Sequence, residues 1–223
     1  METPKAPTAC LFGSTVLTDT ASRGVVYAKT AFSLNPSSVT HLVSSLTAVN
    51  PLNSFAEDSE YAFYKNIFDD PEYQDIFATV LRDIQPHLEE YFCENIDEIQ
   101  MDDAFAVHYN ETHHDSTVKK HQDPSDITVN LNLERTNDLK GSQVKFYGTK
   151  KLKNVVQIIQ EKGREEEVFL VDTPLGFCTI HWGAHPHEVT PLERGRRTNI
   201  VMTYIFKDKS KSDANRNCYE IEK

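Results

Sequence analysis

The hydrophobic positions change period part-way along the chain. From about residue 39 to residue 95 they recur every three to four positions, most clearly after Asp70-Pro71, where Tyr73, Ile76, Phe77, Val80, Leu81 and Ile84 share one side of a helix. Asp70 is placed to cap that helix and Pro71 to occupy its first position, since a helix start leaves N–H groups unpaired and proline has none. Pro86 is expected to kink the helix or to open a second one through Leu88, Tyr91 and Phe92. After Met101 the period falls to two. Ile127, Val129, Leu131 and Leu133 alternate with Thr128, Asn130 and Asn132, and short runs of the same kind follow at 143–147, 155–159, 168–171, 177–182 and 199–206. Many short strands in succession predict an antiparallel sandwich or barrel preceded by helices.

Three stretches lack a sustained period. The first 35 or so residues mix Thr, Ser, Ala and Pro and read as a loose segment with room for one strand. Between 149 and 167, Lys150-Lys151, Gly163 and Glu165-Glu166-Glu167 suggest a solvated hairpin insertion. The Lys-rich end reads as a frayed terminus. The expected organisation is therefore an N-terminal segment with supporting helices over 1–100, a β core over 101–207 and a polar tail over 208–223.

Composition narrows the function classes. The chain has 223 residues, 39% of them hydrophobic, enough for one domain with a real core. Against 34 Asp and Glu stand 23 Lys and Arg, a net charge of −11 that would repel a phosphate backbone, so no nucleic-acid partner is expected. No apolar run approaches the ~20 residues needed to span a bilayer, and the N-terminus lacks the basic and apolar regions of a signal peptide. A cytoplasmic protein with no membrane partner is expected. Cys10, Cys93, Cys178 and Cys218 are scattered without a CxxC pair and read as reduced thiols.

Seven of the nine histidines fall between His108 and His187. His121-Gln122-Asp123 sets two metal-capable side chains on one face of an extended segment. Further on, His181-Trp182-Gly183-Ala184-His185-Pro186-His187 follows an apolar strand and can bring in a third ligand. Two imidazoles and one carboxylate on one face of an octahedral ion leave three positions open, the arrangement of non-haem Fe(II) oxygenases. His185 competes with His187 for the third place, because a period of two puts both on one strand face; only the spacing to Pro191 and Arg197 favours His187. Arg197, at the start of the next apolar strand, offers a planar fork for a carboxylate, which implies a dicarboxylate co-substrate. His113-His114 reads as a solvated loop, Arg196 as a surface charge and Trp182 as a core residue.

Taken together, these segments resemble the Fe(II)/2-oxoglutarate-dependent oxygenases, and within them the procollagen prolyl and lysyl hydroxylase branch. The resemblance is carried by Ala104 to Tyr109, by His121-Gln122-Asp123-Pro124-Ser125-Asp126-Ile127-Thr128-Val129-Asn130, by Gly141 through Phe146 to Gly148, and by His181-x-Gly183-x-His185-x-His187 followed by Pro191, Gly195 and Arg197. It implies a double-stranded β-helix, or jelly roll, with Fe(II) held by His121, Asp123 and His187. It further implies Arg197 as partner of the 2-oxoglutarate C5 carboxylate and Tyr109 as a hydrogen-bond donor to that co-substrate. O2 is the second co-substrate, and ascorbate a candidate reductant. Two positions depart from the pattern. Gly141-Ser142 stands where many relatives have two glycines, and Leu131 stands where some have a tyrosine beside the keto acid.

The expected activity is hydroxylation of an unactivated C–H bond, on a prolyl or lysyl side chain of a protein or on a small amino-acid-like molecule. A nucleic-acid demethylase of the same superfamily would continue Arg197-Thr198-Asn199 with a second arginine, but Thr203 stands six residues on. The alternative from another class is a catalytically silent jelly roll that binds a ligand in the same pocket.

Overall fold

The computed structural model describes residues 20–31, 36–47, 63–111, 116–155 and 167–212. Among them are the helices α1 (Pro36–Thr47) and α2 (Gln74–Tyr91), short helical turns, and three antiparallel sheets. The main sheet is built from β1 (Val25–Lys29), β2 (Phe63–Asn66), β3 (Ile99–Asn110), β5 (Ile127–Arg135), β9 (Phe177–Trp182) and β12 (Arg196–Phe206), in the order β1-β9-β5-β12-β3-β2. The second sheet runs β4-β10-β7-β8, from β4 (Val118–His121), β10 (His187–Val189), β7 (Val144–Tyr147) and β8 (Val168–Val171). A short pair, β6 (Lys140–Gly141) with β11 (Leu192–Arg194), closes one end. This mainly β architecture is the expected jelly roll.

Alternation decides which way each strand faces. Ile127, Val129, Leu131 and Leu133 of β5, Cys178 and Ile180 of β9, and Ile200, Met202 and Tyr204 of β12 are buried in one cluster with α2 residues Ile76, Phe77, Val80, Ile84 and Leu88. Each such aliphatic side chain contributes roughly 1.5–3 kcal/mol by leaving water. The helices therefore cover the outer face of the main sheet. Its inner face, carrying Thr128, Asn130, Thr179, His181 and Asn199, looks toward the second sheet across a cavity.

Three local expectations meet the structure differently. Asp70 does cap, accepting from Glu72 N–H, with Pro71 opening a 3-10 turn ahead of α2. Pro86 neither ends α2 nor opens another helix, and the helix runs through it to Tyr91. The helical stretch read from 39 onward is interrupted by β2, four residues that pair with β3, because tertiary pairing overrides a weak local period. The 155–159 run and the insertion near it fall largely outside the described residues, as do His113 and His114.

Candidate metal centre

Strand pairing brings the first two imidazoles together. His121 ends β4, His187 begins β10, and the two are partners in register, with ring centroids 4.3 Å apart. Asp123 lies just past β4, where its N–H donates to Gly183 O (2.9 Å) and Gly183 N–H donates to Asp126 O (2.8 Å). That turn passes so close that a Cβ on Gly183 would lie 2.0 Å from Ser125 O, so glycine is required there. One ligand atom each from His121, Asp123 and His187 lie within 4.8 Å of one another. Asp123 Oδ1 is 3.3 Å from His121 Nε2 and 3.7 Å from His187 Nε2.

Neighbouring groups aim these donors. His121 Nδ1–H donates to Lys119 O (2.8 Å) and His187 Nδ1–H to His185 O (2.9 Å), which leaves both Nε2 lone pairs for the centre. Thr128 Oγ1 donates to Asp123 Oδ2 (2.5 Å) and itself meets Ser125 Oγ (3.1 Å), so the carboxylate is clamped with Oδ1 turned inward. Burial pushes the Asp123 carboxyl up, but His187, His121, His181 and the Thr128 hydroxyl outweigh it and hold it below the usual carboxylate range. Burial lowers His187, against the pull of Asp123. His121 is lowered by burial too, but its bond to Asp123 more than reverses this and raises it. The centre is thus a carboxylate beside imidazoles held ready to coordinate.

His185 is not part of this group. The segment from Gly183 to Pro186 is a turn closed by His185 N–H to Trp182 O (2.9 Å), so the period of two breaks before β10 begins. The His185 side chain instead packs by Phe146 and Phe169 and reaches Gly148 O through Nε2 (3.2 Å). Burial, then His181, lowers its pKa to about 3. His181 does face the cavity, its ring 4.9 Å from that of His187; burial, then His187, lowers it to about 4. Trp182 packs against the core and donates Nε1–H to Lys151 O (2.8 Å), and Arg196 is exposed and paired with Glu134 (2.8 Å).

Arg197 marks another part of the same cavity. It is 6% exposed, its guanidinium carbon lies 5.0 Å from the Tyr109 ring centroid, and the two residues are partners in register. Burial lowers its pKa, while Tyr109 raises it. Among the described residues no carboxylate is within ion-pair distance, and Nε has no hydrogen-bond partner. Asp172, which attracts Arg197 electrostatically, is held instead by Arg135 in a two-pronged pair (2.7 and 3.2 Å). A buried cation so left wants an anion from outside.

Two residues escaped the sequence reading. Asn199 and Asn130 meet across β12 and β5 on the cavity side (2.5 Å), leaving the buried Asn199 Oδ1 without a partner among the described residues. Leu131, set beside the keto acid by analogy, is instead in the helix-facing core at 1% exposure, because the cavity-facing residue at this level of β5 is Asn130. Ser142 takes φ 55°, the left-handed region that a second glycine would occupy without steric cost.

The triad, Arg197, Tyr109 and the amide pair all line one cavity of about 500 Å³. A larger hollow, about 750 Å³, opens near His108, Glu134 and Arg196, away from the triad. The convergent metal donors and the buried guanidinium, without a carboxylate in ion-pair distance among the described residues, both line the smaller of the two.

No family model matches the sequence, and no curated protein matches it. Solved structures do. An oxidoreductase of the 2OG-Fe(II) oxygenase family from Burkholderia pseudomallei superposes with TM-score 0.58 at 15% identity, covering 88% of this chain and 92% of that one. A Pseudomonas putida prolyl-4-hydroxylase gives 0.55 at 15% identity, covering 86% and 98%. HygX from Streptomyces hygroscopicus, solved with nickel and 2-oxoglutarate bound, gives 0.56 at 10% identity, covering 88% of each chain. The chain has the fold of the 2OG-Fe(II) oxygenases.

Proposed function

We propose that the protein is an Fe(II)- and 2-oxoglutarate-dependent dioxygenase that hydroxylates an unactivated C–H bond. The observation that carries this reading is the sharing of one cavity by two features: three convergent metal donors and a buried guanidinium that has no acidic partner among the described residues. The donors fit the ion, since two imidazole nitrogens and a carboxylate oxygen leave positions open on an octahedral metal, whereas structural zinc is usually closed by four ligands. The guanidinium fits a dicarboxylate, which also suits the oxygenase fold.

His121, Asp123 and His187 would hold the iron, and Arg197 with Tyr109 would hold the C5 carboxylate of 2-oxoglutarate. When bound, iron and 2-oxoglutarate with O2 supply the oxidising power, with decarboxylation of the keto acid to succinate and CO2. The chain's own contribution is orientation. The Lys119 and His185 carbonyls fix the imidazole tautomers, and Thr128 fixes the carboxylate. The substrate class proposed with this activity is a prolyl or lysyl side chain or a small amino-acid-like molecule. Pseudomonas putida prolyl-4-hydroxylase and the SnoN epimerase of nogalamycin biosynthesis, both of this fold, illustrate how far substrates diverge on it. A reducing, cytoplasmic setting is part of the proposal, in keeping with free Cys93 and Cys178, both buried. No described helix is long and apolar enough to cross a membrane.

The test is to load the protein anaerobically with Fe(II) and 2-oxoglutarate, admit O2 and follow succinate, because uncoupled turnover is visible without the prime substrate. Wild type should bind one Fe(II) and release succinate. Asp123→Ala and His187→Ala should lose the metal, while His185→Ala keeps most of it. Unchanged metal content in Asp123→Ala would refute the assignment, and a reversed result for the two histidines would move the third ligand to His185.

A further inference from the structure

One part of the cavity wall is not used by the metal or by Arg197. Tyr64 on β2 and Phe105 on β3 stack with ring centroids 4.8 Å apart and planes 26° from parallel, and both line the cavity. β2 is the outer strand of the main sheet, so the pair stands at the sheet's margin. Tyr64 lies opposite Val107, Phe105 lies between Val201 and Asn66, and Val118, Val144 and Val189 line the cavity from other strands, so the surroundings are mainly apolar.

The charge inventory is equally one-sided. Among the described lining residues Asp123 is the sole carboxylate and Arg197 the sole arginine or lysine. Asp123 is taken up by His121, His187 and Thr128. The next carboxylate near the rings, Asp103, is outside the lining and accepts from Asn66 Nδ2 (2.9 Å) and Ala104 N–H (2.8 Å). With Arg197 engaged by 2-oxoglutarate, an ammonium or carboxylate brought in by a substrate would lose water and gain no counter-ion among the described lining residues. A cation–π contact with one ring returns less than that desolvation costs. An uncharged ring gives up little and gains close contact with aromatic faces.

We propose that the Tyr64–Phe105 pair is the selecting platform of this cavity, admitting an uncharged cyclic or planar hydrocarbon group and turning away an ammonium. This rests on the oxygenase reading and narrows its substrate class by excluding the lysyl option.

The test is calorimetric titration of the full-length protein, loaded with Mn(II) and saturated with 2-oxoglutarate so that no turnover occurs. The probes are pentapeptides identical except for a central prolyl or lysyl residue. The prolyl peptide should bind at least tenfold more tightly at pH 7. Tyr64→Ala and Phe105→Ala should each weaken it at least fivefold with 2-oxoglutarate affinity unchanged, and Phe105→Glu should invert the preference. Phe105→Leu, which keeps apolar volume but no aromatic face, serves if the alanine variant melts early. Equal or tighter binding of the lysyl peptide would overturn the proposal. So would no binding of the prolyl peptide, or indifference of its binding to both rings. A wild type that failed to bind 2-oxoglutarate would bring down the oxygenase reading itself, whereas normal 2-oxoglutarate binding without the prolyl preference would bring down the platform alone.

Discussion

The two faces of the main sheet are made by the same strands and follow opposite rules. On the outer face, Ile127, Val129, Leu131, Ile180, Ile200 and Met202 pack under the helices in a continuous apolar core. On the inner face, one residue away along each strand, stand Thr128, Asn130, Thr179, His181, Arg197 and Asn199. In an ordinary half-buried sheet the polar half of an alternation faces water. Here it faces a cavity, and most of these polar side chains are themselves buried: His181 is 3% exposed, Asn199 3% and Arg197 6%. The hydrophobic half holds the fold, and the polar half lines the cavity opposite the strands that bear His121 and His187.

The largest expected effect on the fold separates the faces most sharply. Ile200 is fully buried in the helix-facing core, so Ile200→Ala should cost about 2–5 kcal/mol of unfolding free energy, read from urea denaturation. Arg197→Ala, three residues earlier and facing the cavity, should leave that free energy unchanged or raise it, because it removes a buried charge with no acidic partner among the described residues. A large loss of stability in Arg197→Ala would mean that the inner face is structural after all.

A smaller effect sharpens the account of the inner face at its margin. Burial first, and the Asp103 carboxylate second, raise the Tyr64 phenol to about 12. The folded state therefore favours the neutral phenol. Its contribution to stability is whole below about pH 10, where the unfolded phenol is also neutral. It is lost as pH rises from there toward about 12. The tyrosinate absorbance lost on Tyr64→Phe should titrate near the upper value, and a midpoint near 10 would place the ring in water and weaken its role as a platform.

Much of this was legible in the sequence because alternation in long strands is unambiguous. β5 and β9 could be read from Ile127 to Leu133 and from Phe177 to Trp182, and α2 from its apolar side and its Asp70-Pro71 start. β7 and β8, four residues each, still read as apolar runs, but β2, β4, β6 and β10 carry too few apolar positions to show a period and are defined by pairing. His121, Asp123 and His187 were singled out by spacing, and although the period of two left His185 and His187 on one face, the distance to Pro191 and Arg197 favoured His187. The turn at 183–186 separates the two, and no periodic rule predicts a turn that breaks the period. Nothing in the pattern singles out Asn130, Asn199, Tyr64 or Phe105, since nothing local tells a cavity wall from water or from a core. The only signal available was the run of Thr and Asn opposite an apolar row, a polar face richer in amides and hydroxyls than in charges.

The central claim is that Arg197 and the triad form one site for iron and 2-oxoglutarate. It is tested most directly by titrating 2-oxoglutarate into anaerobic Fe(II)-loaded protein and following the charge-transfer absorbance of the chelated keto acid. Hydrogen bonds to charged groups are worth about 1.5–3 kcal/mol each, and about 1.4 kcal/mol is a factor of ten. Arg197→Lys, which keeps the charge but loses the fork, should therefore weaken 2-oxoglutarate about ten- to a hundredfold, and Arg197→Ala more, with iron affinity unchanged in both. Equal 2-oxoglutarate affinity in wild type and Arg197→Ala would contradict the account and leave a metal-binding jelly roll without its co-substrate.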